Sequence, residues 1–232
     1  MSLGQIFNTM LWLIKDHAVN TETGFLYLFN EEVTSHQVTS NSRQIRFTNA
    51  SGKHTPTKFT SKEIDQSIEL MSMFNKNIIR TVDAQSSLSA VNTSASRIER
   101  FIYFLQASRS QSHLPSKIAL YCTMLETLLS TSSSEITHKI SERAARMIGE
   151  TPEKRIEIYN TVKKVYKIRS SIVHGSTIDK KLTNQITDLS IWMDDLLRKI
   201  FIKIIYDYNL QVLFDHGEQK ELEEWFTNLI FE

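Results

Sequence analysis

An arginine and a histidine five residues apart, Arg169 and His174, flank two serines, Ser170 and Ser171, within the stretch 166–175, which ends on Gly175. These side chains suit the cleavage or gripping of a phosphodiester without a metal. Histidine titrates near neutrality and can move the proton of an attacking hydroxyl or a leaving oxygen. Arginine stays charged and presents a fork of donors to the charge that develops on phosphate. RNA supplies its own nucleophile, the 2′-hydroxyl, and Ser170 or Ser171 would orient the imidazole or a phosphate oxygen. The catalytic candidates are therefore Arg169 and His174, supported by Ser170 and Ser171. A plainer reading stands beside this one. At about 100° per residue, positions five apart lie roughly 140° apart around a straight helix. The pair meets only if the helix ends or kinks at Ser170-Ser171, or if two chains bring their copies together. Without catalysis, His174 is a cation at a helix C-terminus, where the macrodipole favours it, and Arg169 is the partner of an acidic side chain.

Other chemistries have weaker signals. His113, His138 and His216 are scattered without metal-ligand spacing. Neither a Gly-x-x-x-x-Gly-Lys-Ser/Thr loop nor a Gly-x-Gly-x-x-Gly turn occurs, so neither a metal nor an organic cofactor is expected. The pairs Asp194-Asp195 and Glu223-Glu224 are adjacent, hence on different sides of a helix, and are read as solvated. Cys122 is the single cysteine, which excludes an intrachain disulfide and points to a reducing, cytoplasmic compartment. It falls on an apolar helical face, as a core residue would. No apolar run approaches the roughly 20 residues that span a bilayer, because Lys203 interrupts the best one. The run 10–14 lacks a signal-peptide cleavage pattern. No membrane partner is expected. The opening Met-Ser-Leu reads as a cloning remnant, so the chain is expected to belong to a longer protein with additional domains.

The formal net charge is only +1, but charge is unevenly spread. Residues 139–169 carry nine basic and four acidic side chains, a net +5, and residues 182–232 carry a net −6. The basic segment could attract phosphate; solvated helix faces would look the same.

The elements that must position the pair are mostly helices. Only 6 Gly and 3 Pro interrupt 232 residues. Residues 1–58 read as a β-rich segment, with short apolar runs at 11–14, 24–29 and 44–47 and turn signals at 20–24 and 51–53. Three strands are marginal alone, so this segment should pack on the helices or end a larger domain. From Thr60 the period becomes 3.6. Thr60 and Glu63 have capping-box spacing, followed by the stripe Ile64, Ile68, Met71, Ile78 and Val82. The Ser- and Ala-rich tract 83–96 is read as a break or loop. Further helices follow: one on Ile98, Phe101, Ile102 and Leu105, and one opened by Pro115 with Ile118, Tyr121, Leu125 and Leu128 inward. The next, 135–147, has Gly149 as a C′ residue. The one opened by Thr151-Pro152 faces inward with Ile156, Tyr159, Val162, Tyr166 and Ile172. The longest, 181–208, is apolar over a broad arc, so it is central to a bundle or covered by a partner. A short amphipathic helix lies at 218–231. The fold class is mainly α: a helical bundle over residues 59–232, preceded by a small β-rich segment, α+β overall.

The motif Tyr166-x-x-Arg169-Ser170-x-Ile172-Val173-His174-Gly175 resembles the HEPN superfamily, whose ribonuclease members carry Arg-x4–6-His. It is most similar to the HEPN domain of ApeA-like antiphage proteins, where a Leu-Glu pair (Leu125-Glu126 here) precedes a helix like 140–145. The likeness covers roughly residues 98–208. It implies a helical bundle that homodimerises, with the two Arg/His sets meeting at the interface, and RNA as substrate in antiphage or toxin-like defence. Many catalytic members carry Asn, Asp or His directly after the arginine, where this chain has Ser170. Members without catalysis serve as interaction or regulatory modules, the alternative function.

Overall fold

The computed structural model describes residues 2–28, 37–42, 46–73 and 95–231. The protein is mainly α with one small antiparallel ribbon. In chain order the elements are α1 (Ser2–Ile14), β1 (Thr23–Leu28), β2 (Gln37–Ser42), α2 (Ser61–Met73), α3 (Arg97–Arg109), α4 (Leu114–Leu129), α5 (Ile136–Ile148), α6 (Pro152–Val173), α7 (Lys180–Asn184), α8 (Ile186–Tyr206), α9 (Tyr208–His216) and α10 (Gln219–Phe231).

The bundle is built around α4 and α8. Ile118, Tyr121, Leu125 and Leu128 of α4 and Met193, Ile200, Phe201 and Ile204 of α8 are fully buried. α4 packs against α3, α5, α6 and α8, and Phe101 of α3 stacks on Phe201 with ring centroids 4.2 Å apart. Burying each such side chain contributes about 1.5–3 kcal/mol. α8 is thus apolar on a wide arc because it is central. The single 181–208 helix expected from periodicity is two, α7 and α8, separated at Gln185, and Asp207 separates α8 from a further helix, α9, that begins at Tyr208. Asp207 caps α9, its carboxylate accepting from the amides of Asn209 and Leu210.

The run 11–14, expected as a strand, is the last turn of α1. Met10, Leu11, Trp12 and Leu13 are all buried, so the run has no polar face to reveal a helical period. Ile6, Met10, Trp12 and Leu13 share one core cluster with α3 to α6 and α8. The signal at 20–24 is therefore the link from α1 into β1. β1 and β2 form a ribbon in register Thr23 to Ser42 and Leu28 to Gln37, with Phe25, Leu26, Tyr27, Leu28 and Val38 exposed. The expected strand at 44–47 lies partly outside the described residues, and Arg46 and Phe47 are not in a strand. Residues 51–53 do turn, with the Gly52 amide donating to Asn49 O at 2.9 Å.

At α2 the capping box forms: Glu63 accepts from the Thr60 amide at 2.8 Å, and Thr60 Oγ1 accepts from the Glu63 amide at 3.3 Å. The inward face is not the expected one. Ser67 and Leu70 are buried, whereas Ile68 is 54% exposed. Ile78, Val82 and most of the tract 83–96 lie outside the described residues. Gly149 ends α5 at φ −79°, not in the left-handed region. Its need is space: a Cβ there would sit 2.7 Å from Ala145 O. On α6, Ile156 is 62% exposed rather than inward.

Candidate functional site

α6 has a strong start and a strong stop. Thr151 accepts from the Lys154 amide at 3.3 Å and Pro152 occupies the first turn. At the other end His174 is the C-cap and Gly175 adopts φ +67°. The Gly175 amide donates to Ile172 O at 3.3 Å and the Ser176 amide to Ser171 O at 2.9 Å, the paired bonds of a Schellman stop. The helix therefore runs unbroken through Ser170-Ser171, and no kink brings Arg169 and His174 onto one face.

The four sequence candidates separate accordingly. Arg169 turns toward α4, its Nη2 donating to Glu126 Oε2 at 3.1 Å, with side-chain exposures of 33% and 21%. Its guanidinium lies 5.9 Å from the Tyr166 ring centroid. His174 and Ser170 are exposed and Ser171 is half-buried. Ser170 and Ser171 contribute backbone oxygens to the helix stop. The acidic partner that the non-catalytic reading requires for Arg169 is thus present in the same chain. Glu126 keeps its other oxygen, Oε1, buried without a hydrogen bond. Below the pair, burial pushes the Tyr166 hydroxyl and the Cys122 thiol well up, so both stay protonated at neutral pH.

Along the exposed side of α6, Lys163, Lys167, Ser170 and His174 recur at helical intervals and are all exposed. At 1.5 Å per residue this stripe is roughly 16 Å long. On the other flank Glu126 borders a polar cavity of about 420 Å³, also lined by Arg97, Arg100, Asp215 and His216. Arg97 Nη1 holds Thr127 O at 2.9 Å and Ser130 O at 2.8 Å, closing the end of α4. Burial, with Arg100 and Arg143 nearby, lowers its pKa. His216 Nε2 lies 3.1 Å from the Asp215 carboxylate. This cavity was missed in sequence because its residues come from three distant segments; only the Leu125-Glu126 pair pointed toward it. Among the described residues no cluster of His, Cys, Asp or Glu could hold a metal ion, and no helix is long and apolar enough to cross a membrane.

A second polar cluster lies inside the bundle. Asp194, read from sequence as solvated, is 2% exposed. Its Oδ1 accepts from Trp12 Nε1 at 2.9 Å and Tyr121 Oη at 3.1 Å, and its Oδ2 pairs with Arg198. Arg198 Nε donates to Trp12 O at 2.7 Å. Nearby, Arg109 donates to Asn8 O and His17 O, each at 3.1 Å. The amide of Val19 donates to His17 Nδ1 at 3.0 Å, which leaves Nε2–H to donate to Asn8 O at 3.1 Å. Burial, reinforced by the Arg109 charge, pulls the His17 pKa down to about 3, so the ring is neutral. Burial also lowers Lys117 to about 8, and its Nζ has no hydrogen-bond partner. Asp16 is raised by burial and by Asp194 while accepting from the Ala50 amide at 2.9 Å. Trp12 ties α1 to Asp194 and Arg198 of α8, Arg109 ties the segment Asn8–His17 to α3, and Tyr121 ties α4 to Asp194, so the cluster is scaffolding.

Neither a family model, nor a curated protein, nor a solved structure matches the chain.

Proposed function

We propose that the protein is a metal-independent endoribonuclease of HEPN type, acting as a cytoplasmic homodimer in antiphage or toxin-like defence. Arg169 stabilises charge on the scissile phosphate, His174 transfers the proton, and Ser170 and Ser171 hold phosphate. The observation that carries this reading is the divergence of Arg169 and His174 around an unbroken α6. Two groups that cannot converge in one chain suit half-sites shared across a two-fold interface. The exposed Lys163 and Lys167 beside His174 support phosphate binding.

A second reading, a non-catalytic dimerisation or regulatory module, is favoured by one specific observation: Glu126 already occupies the Arg169 guanidinium. Mixing separates the two. Arg169→Ala and His174→Ala chains are each incubated with total RNA in EDTA, then co-refolded into mixed dimers. A shared site predicts that each variant alone is inactive and that the mixture regains activity, because one site receives an intact arginine and an intact histidine. A parent that is dimeric yet inert at micromolar concentration supports the module. Activity that is lost in both variants and not regained on mixing places both groups in one chain and defeats the shared site.

A further inference from the structure

At the end of α3 remote from Arg97, a cavity of about 240 Å³ opens between α1, the segment around Asn20 and Phe47, and the second half of α3. It belongs to neither the Arg169 region nor the Asp194 cluster. Its wall combines two apolar rings, Phe47 and Tyr103, with the carboxamides of Gln5 and Gln106. Asn8 and Asn20, also on the wall, are engaged within the protein: Asn8 Nδ2 donates to Thr21 Oγ1 at 3.0 Å, and Asn20 Nδ2 donates to Ala18 O at 2.8 Å. Gln5 and Gln106 are different. Gln5 is only 5% exposed, yet neither carboxamide has a hydrogen-bond partner among the described residues. Neither amide is among the buried side-chain atoms left without a partner, which for the described residues are Arg109 Nε, Lys117 Nζ and Glu126 Oε1, so both stay open to an occupant that supplies donors and acceptors together.

The lining also says what the occupant is not. It contains no Asp, Glu, Lys, Arg or His. Arg109, 4.7 Å from the Phe47 ring centroid, is not part of the lining and is committed to Asn8 O and His17 O. A phosphate or carboxylate would find no counter-charge. The volume is below the roughly 300–1,000 Å³ of sites for drug-sized ligands. We infer that this cavity binds a small, uncharged, planar heterocycle with a donor–acceptor edge, a nucleobase or nucleoside, read by Gln5 and Gln106 beside Phe47 and Tyr103. A glutamine carboxamide pairs with such an edge through one donor and one acceptor, as it does on adenine. Because its walls come from α1 and α3, the occupant ties the N-terminal helix to the bundle.

The test uses the full chain, with adenosine, guanosine, cytidine and uridine as probes and indole as a planar apolar control. Binding is read by calorimetry and by the shift in Tm. At least one nucleoside is expected to bind and raise Tm, with indole at least about tenfold weaker. Gln5→Leu and Gln106→Leu, each checked for folding by circular dichroism, should each weaken that nucleoside about tenfold while leaving indole unchanged or tighter. Arg169→Ala should bind it undiminished, which separates this site from any RNA-cleaving one. The inference is overturned if no nucleoside binds at about 1 mM, if indole binds equally well, or if a folded glutamine variant binds as the parent does. Loss of binding in Arg169→Ala would overturn it as well, by moving the ligand to α6.

Discussion

The charges around Asp194 and those at the end of α6 are held in opposite ways. Asp194 accepts from two ring donors and an arginine inside the bundle, sealed from water. Arg169 has one carboxylate partner and remains a third exposed, and His174 is exposed beside two lysines. The inner set fixes α1 against α8; removing a member leaves an uncompensated charge in low dielectric. The outer set is loosely held, and such groups are free to exchange an internal partner for a ligand. A cluster dense in hydrogen bonds can thus be scaffold, while a sparse pair at a helix end is the better candidate for chemistry.

The sharpest way to break this contrast is to truncate one member of each set. Asp194→Ala should destabilise the protein by about 3–5 kcal/mol in urea unfolding, whereas Arg169→Ala should change stability by no more than about 1 kcal/mol. Comparable losses would erase the distinction. Acid probes the inner set next. With His17 at about 3 when folded and near 6.5 when unfolded, the unfolded chain binds the extra proton between those values. Stability from His17 is present above pH 6.5 and is lost as pH falls toward 3, by up to about 1.4 kcal/mol per pH unit. Asp16, raised by burial, tilts the other way, so the measurement is the difference in slope between the parent and His17→Gln over pH 6.5–4, with the variant flatter. Lys117 carries a smaller effect of opposite sign on substitution. It adds a third cation to Arg109 and Arg198 against Asp16 and Asp194, with Nζ unpaired. Lys117→Met should stabilise by about 1–2 kcal/mol, and the parent should gain stability as pH rises from 8 toward 10.5. The smallest change belongs to the outer set: Gly175→Ala, at φ +67° with open space around its Cα, should lower stability by about 1 kcal/mol through backbone strain alone. Any ribonuclease activity should fall further than that, because the stop that seats His174 is disturbed.

Periodicity made α3, α4, α6 and α10 legible, because each has one buried and one wet face and a cap, a proline or a glycine at an end. It failed where burial is not one-sided. α1 closes with four consecutive buried apolar residues, a pattern that a strand shares. In α2 the buried face uses small Ser67 with Leu70, so Ile64 and Ile68 suggested the wrong stripe. The breaks at Gln185 and Asp207 involve neither glycine nor proline, although Asp207 is a good cap. Asp194 looked solvated beside Asp195; only the packing of Trp12 and Tyr121 against it, from far away in sequence, makes it interior. At the candidate site the residue types and the lack of a shared face were readable, while the cavity beside Glu126 depends on α3, α4 and α9 meeting.

Cys122, the lone thiol, lies on α4 one turn from Glu126, with Tyr166 Oη 3.5 Å from its carbonyl oxygen. Its thiol is buried and held protonated by that burial, so a thiol reagent reacts only when the seam between α4 and α6 parts. The molecule therefore carries its own clock. The labelling rate of Cys122 counts the openings of the layer on which Arg169 and Glu126 rest, and a nucleic acid or partner chain that closes over them would slow that clock.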